Sequence, residues 1–119
     1  NISINKNTYF DYLYVNDFSK IVEMFITKNS IKHRTYNICT GNTIDFIKLA
    51  EIINEIDDRN KTIKVKEKGL NPEYSGDNKQ FIDEFKGVKF TPPEKAINDL
   101  YQWYKNFSNI EFNKEMFNK

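Results

Sequence analysis

Few residues in this chain have chemistry to offer, and one spacing stands out among them. Tyr101-Gln102-Trp103-Tyr104-Lys105 fits Tyr-x-x-x-Lys, the pairing in which a lysine lowers a tyrosine's pKa so that the phenol can exchange protons with a sugar or alcohol. The surrounding pattern assigns Tyr101 otherwise. It shares an apolar stripe with Ile97, Leu100 and Tyr104, so a packed ring is expected. The nicotinamide site that such a pair would serve also has no sequence behind it. Gly41, Gly69, Gly76 and Gly87 are the four glycines, and none is spaced as a dinucleotide or phosphate loop requires. His33 is the one histidine and Cys39 the one cysteine. They have neither a zinc spacing nor a recognisable third member for a nucleophile pair. No catalytic, cofactor-binding or metal-ligating residue is therefore expected.

What the chain has instead is rings. "YFDYLYVNDF", Tyr9 to Phe18, holds five aromatic side chains in ten residues with Asp11 threaded between them. In a strand Phe10, Tyr12 and Tyr14 share one face with Thr8, while Tyr9, Asp11, Leu13 and Val15 share the other. Asp11, on the less aromatic face, is expected to accept hydrogen bonds from backbone amides.

These rings belong to a chain of 119 residues with 18 basic and 17 acidic side chains, a formal charge of +1. One domain of that size buries roughly two-thirds of the surface its unfolded chain exposes. No net field draws it to nucleic acid or an anionic membrane, and no apolar run approaches the ~20 residues of a membrane span. One cysteine excludes an internal disulfide. Without a visible signal peptide, a reducing cytoplasm is the expected compartment.

The elements that would position the rings follow from periodicity. Ile2 and Ile4 alternate before a turn at Asn5-Lys6-Asn7, and a strand runs from Thr8 to Val15. Asp17 is placed to cap a helix carrying Phe18, Ile21, Val22, Phe25 and Ile26 as far as Asn29. Arg34 to Cys39 reads as a second strand, with Asp45 capping a helix built on Phe46, Leu49, Ala50, Ile53 and Ile56. Thr62 to Lys66 reads as a third strand, and Lys68 to Gly76 as loop. Asp77 is placed to cap a short helix with Phe81, Ile82 and Phe85, ending at Gly87. Thr91-Pro92-Pro93-Glu94 forms a capping box before a helix striped by Ala96, Ile97, Leu100, Tyr101 and Tyr104. The tail beyond Asn106 carries no assignment.

In order and correctly separated, "FDYLYVNDFSKIVEMF", "YNICTGNTIDFIKLAEII", "PEYSGDNKQFIDEF" and "FTPPEKAINDLYQWY" resemble the C-terminal portion of NAD-dependent nucleotide-sugar epimerases and dehydratases, the extended short-chain dehydrogenase/reductases. The resemblance covers about Thr8 to Phe107. It implies an α/β fold of about four helices and a few short strands, without the main dinucleotide-binding sheet. Residues 1–107 would be the nucleotide-sugar-binding portion and 108–119 a C-terminal tail. NAD or NADP would serve the complete enzyme, whose glycine-rich loop and catalytic tyrosine and lysine would precede Asn1, so this chain would be inert alone.

The resemblance also implies site residues. Asp11 and Tyr12 match the family's Asp-aromatic pair; Tyr12 would face the nucleotide sugar, and Tyr74 would lie near its base or ribose. Two family arginines have no counterpart. Phe10 stands where the first would grip the diphosphate, and only Lys66 or Lys68 is near enough in sequence to replace the second as a point charge. Phe10, Tyr12, Tyr74, Lys66 and Lys68 are thus the candidate substrate contacts. The alternative from a different class is a non-catalytic module whose ring face docks a carbohydrate or a protein. On either reading, a strand Arg34 to Cys39 left at an open edge would invite self-association.

Overall fold

The computed structural model describes residues 1–107; the tail assigned to 108–119 lies outside them. The first strand, β1 (Ile2–Asn7), buries Ile4 and Asn7 and lies parallel to a strand some 60 residues later. Chain continuity passes next through β2 (Tyr9–Phe10), α1 (Val15–Thr27), β3 (Ile44–Asp45) and α2 (Phe46–Asp57). It ends through β4 (Ile63–Leu70), α3 (Lys79–Glu84) and α4 (Pro93–Asn106). β1 pairs with β4, Ile2 against Ile63 and Ile4 against Val65, and α2 packs on this ladder as its crossover helix. β2 pairs antiparallel with β3.

α2 keeps the start that its sequence sets, with Asp45 Oδ1 accepting the Lys48 N–H at 2.8 Å. It stops at Asp58, whose φ of 54° places it in the left-handed region. Asn54 then turns the chain toward β4: its side chain accepts from Lys61 N–H at 3.0 Å and donates to Lys61 C=O at 2.7 Å. At the far end of the ladder β4 runs on through Lys68 to Leu70, which was expected to be loop. The register shifts between Lys6 and Asn7, where Lys68 and Gly69 of β4 have no partner on β1, and Gly69 at φ +85° lets the chain bulge there.

β1 and α2 bury Ile4, Ala50 and Ile52, and a second, aromatic cluster of the core lies elsewhere. Ile21 of α1 meets Phe81 and Phe85 of the α3 region, with Phe25, Tyr36, Ile38 and Val88 packed around them. Phe25 lies 4.4 Å from Phe85 and 6.0 Å from Phe81, centroid to centroid. Asp77 caps α3 from one position outside the helix's boundary residue, its Oδ1 accepting the Lys79 N–H at 2.9 Å.

Asp17 does not cap α1. The helix begins two residues earlier at Val15, behind Tyr14, and Asp17 is buried inside it. Its carboxylate accepts the Thr91 N–H at 2.6 Å and the Thr91 hydroxyl at 2.8 Å. A buried carboxylate needs donors, and Thr91 supplies two from across the fold. Spent in this way, Thr91 cannot complete the capping box. α4 starts at Pro93, one residue later than the box places it, and its boundary residue Pro92 makes no side-chain cap.

Arg34 to Cys39 forms no strand. A strand needs a ladder partner, and among the described residues none lies beside it. Side chains hold the segment instead: Asn37 donates to Asp77 C=O at 3.1 Å, the Cys39 thiol donates to Gly76 C=O at 3.2 Å, and Asn78 donates to Cys39 C=O at 3.0 Å. Among the described residues no helix is long and apolar enough to cross a membrane.

Tyr101 is fixed by an acid and not by Lys105. Its hydroxyl donates to Asp57 Oδ1 at 2.5 Å, tying α4 to the end of α2. That bond raises the phenol's pKa, the reverse of what a catalytic tyrosine needs. On the other side of the pair, the Arg59 guanidinium and then the Tyr101 hydroxyl hold the Asp57 carboxyl well below the usual carboxylate range. A lowered folded-state pKa contributes stability above the unfolded value and loses it as pH falls toward the folded one. Tm is therefore expected to drop as the pH is lowered through about 4, and Asp57→Asn to flatten that part of the profile. Thermal unfolding followed by circular dichroism between acid and neutral pH tests it; an equally steep acid limb in the variant would exclude this pair as its source.

Candidate ligand platform

Three of the five candidate contacts come together. Phe10 is the centre: its ring centroid lies 5.6 Å from Tyr12, 5.6 Å from Tyr74 and 5.3 Å from Phe46, all at tilted angles. The local reasons are short-range. β2 and β3 pair over two residues, Tyr9 against Asp45 and Phe10 against Ile44, which brings Phe46 beside Phe10. Beyond β4 the chain bridges back in parallel, with Tyr74 N–H donating to Tyr9 C=O at 2.9 Å and Asp11 N–H donating to Tyr74 C=O at 3.0 Å.

The platform is open to solvent. Tyr74 is 73% exposed and Tyr12 45% exposed, and neither hydroxyl has a hydrogen-bond partner among the described residues. Partial burial raises the Tyr12 phenol's pKa, so it remains a neutral donor and acceptor. Tyr9, on the reverse face, has its pKa raised by its bond to Asp45.

Tyr14 leaves the row expected of it because β2 ends at Phe10. Its hydroxyl accepts from Asn16 at 2.9 Å and donates to Asp99 Oδ2 at 3.5 Å, in the middle of α4. Asp11 keeps its expected role: its carboxylate takes the N–H groups of Thr40 and Gly41 and the Thr40 hydroxyl.

Neither Lys66 nor Lys68 lies over a ring among the described residues. Both are exposed on β4, and the one cation found over a ring among the described residues is Lys28 above Phe85. Phe46 escaped the sequence reading because its period placed it on the inner face of a helix. Only the β2–β3 pairing reveals its second neighbour.

Beside the platform lies a cleft of about 620 Å³, walled by Leu13, Val15, Ile44, Pro92, Ile97 and Leu100 and sharing Tyr12 with the rings. Its volume is within the range of small-molecule sites. α4 has no buried residue, and its apolar stripe forms one wall of this space.

Among the described residues no glycine-rich loop lies beside the rings. Gly41, Gly69 and Gly87 have positive φ but lie apart, Gly69 at the irregularity within β4, and the Cys39 thiol, pushed up chiefly by burial and then by the Asp11 charge, is no ready nucleophile. What the described residues provide is stacking surface with hydroxyls.

No protein-family model matches the sequence. No curated protein matches it either. Solved structures do. The chain superposes on the Bordetella bronchiseptica enzyme WbmH in complex with NAD+ at a TM-score of 0.72 and 15% identity, over 89% of its own length and 36% of that chain. It superposes on dTDP-glucose 4,6-dehydratase (rfbB) from Bacillus anthracis str. Ames in complex with NAD at 0.73 and 19% identity, over 92% of its length and 35% of that chain. The chain thus spans about a third of each neighbour. Its four helices and few short strands, with no full dinucleotide-binding sheet among the described residues, match one portion of the α/β fold of these two structures.

Proposed function

We propose that this chain is the nucleotide-sugar-binding portion of an NAD(P)-dependent sugar-nucleotide epimerase or dehydratase. The observation that carries the reading is the platform of Phe10 and the exposed Tyr12 and Tyr74, whose phenols have no partner among the described residues, on a fold like that of a dTDP-glucose 4,6-dehydratase. A ring covers a base or sugar face, and a phenol hydrogen-bonds ribose or phosphate oxygens. Lys66 and Lys68 supply point charges for the diphosphate along β4, beyond the rings. Hydride chemistry belongs to the dinucleotide-binding portion of the complete enzyme, so the chain alone turns nothing over.

Titration calorimetry tests this directly. Tyr12→Ala and Tyr74→Ala are each expected to weaken nucleotide-sugar binding by about 1 to 3 kcal/mol. The isolated chain is expected to bind neither NAD nor NADP with a dissociation constant below about 100 µM. Unchanged sugar-nucleotide affinity in both tyrosine variants would remove the platform from the site.

A further inference from the structure

β2 ends at Phe10, so no strand ladder orients Tyr12. The residue before it does. Asp11 Oδ1 accepts the Thr40 N–H at 2.9 Å and the Thr40 hydroxyl at 2.6 Å, and Oδ2 accepts the Gly41 N–H at 2.7 Å. The same residue's backbone N–H donates to Tyr74 C=O at 3.0 Å. One residue therefore sits between the two exposed phenols and anchors both to a third segment of chain.

That segment is itself fixed. Gly41 has φ +78°, and a side chain there would meet the Asn78 amide at 3.1 Å, so the loop lies close against the start of α3. Asn78 closes the contact by donating to Cys39 C=O at 3.0 Å. The Thr40 hydroxyl also accepts the Asn42 N–H at 3.0 Å, and of the two acceptors in its reach, Asp11 Oδ1 at 2.6 Å and Asn42 C=O at 3.0 Å, the charged one is the nearer. Three donors, two of them backbone N–H groups of fixed direction, therefore converge on one carboxylate.

We propose that Asp11 is a positioning residue, which sets the placement of Tyr12 and Tyr74 around Phe10 through the Thr40–Gly41 loop. This rests on the reading of the rings as the ligand platform and deepens it, because recognition then depends on a side chain that points away from the ligand. Asn at this position has the same shape but turns one acceptor into an N–H₂ donor, which must face an N–H or the Thr40 hydroxyl. The loop moves away, and the segment bearing Tyr12 loses its reference.

The test uses the full 119-residue chain and two readouts. Ring-to-ring NMR contacts, Phe10 with Tyr12 and Phe10 with Tyr74, report the platform without any ligand; calorimetric titration with dTDP-glucose reports recognition. Asp11→Asn is expected to lose the ring contacts and to weaken binding on the order of tenfold in its folded fraction. Thr40→Val, which keeps both backbone donors, is expected to show the same changes to a smaller degree and serves if Asp11→Asn does not fold. Asp57→Asn is the control for a carboxylate that only ties elements together, with ring contacts and affinity expected to stay as in the parent.

Intact ring contacts in folded Asp11→Asn, or in folded Thr40→Val where Asp11→Asn does not fold, overturn the proposal. Loss of the same contacts in Asp57→Asn overturns it as well. Absence of dTDP-glucose binding by the parent chain counts against the ligand reading, while the ring contacts still decide the role of Asp11.

Discussion

Phe81→Ala is expected to destabilise the chain by about 3 to 5 kcal/mol, the largest effect of any single truncation in it. Phe81 has no exposed surface and is stacked against Phe25 and Phe85, above the Ile21 face of α1. Removing the ring leaves a cavity whose walls belong to two helices and the 36–38 segment, so it cannot collapse by moving one side chain. Small domains have about 5 to 15 kcal/mol of net stability, and this loss takes a large part of it. Urea unfolding followed by circular dichroism measures the change; a midpoint shifted by less than 1 kcal/mol equivalent would mean that the core is centred elsewhere.

Asp17→Ala is expected to cost about 2 to 4 kcal/mol, because the half-buried N–H and hydroxyl of Thr91 each lose a charged acceptor. The variant separates two roles. A capping residue would shorten α1 and lower helix content, whereas the bonds to Thr91 hold the start of α4 against α1. Native helix content at low temperature together with an early urea midpoint is therefore the expected pair of results. Frayed helix without loss of cooperativity would return Asp17 to the cap.

That residue also marks where sequence reading gave out. The starts of α2 and, to within one residue, α4 were legible because Asp45 and Pro93 act on their own neighbours, and local chemistry is what spacing reports. Asp17 has the same signature, but its partner lies 74 residues away. Thr8 to Val15 has the composition of a strand, yet only Tyr9–Phe10 is one, because β3 offers a two-residue partner. Arg34 to Cys39 fails in the same way. Strand propensity is completed by a neighbour, and no single segment encodes its neighbour. Of the platform, Phe10 and Tyr12 were visible in one stretch and Asp11 kept the acceptor role its position suggested. Tyr74 came only from the family resemblance, since nothing in its own surroundings announces the bridge to Phe10.

The β1–β4 ladder carries a consequence for the order of folding. Ile2 meets Ile63, so the first rung closes a loop of about 60 residues before any reward is received, and the entropy of that closure is not recovered until several rungs form. α2 shortens the effective span by folding inside it, and Asn54 at its end aims the chain at β4. The ladder is thus expected to form late, after α2. Since the platform's bridge at Tyr74 continues the same parallel run, the rings assemble last of all: a refolding chain regains its core packing first and its ligand platform afterwards.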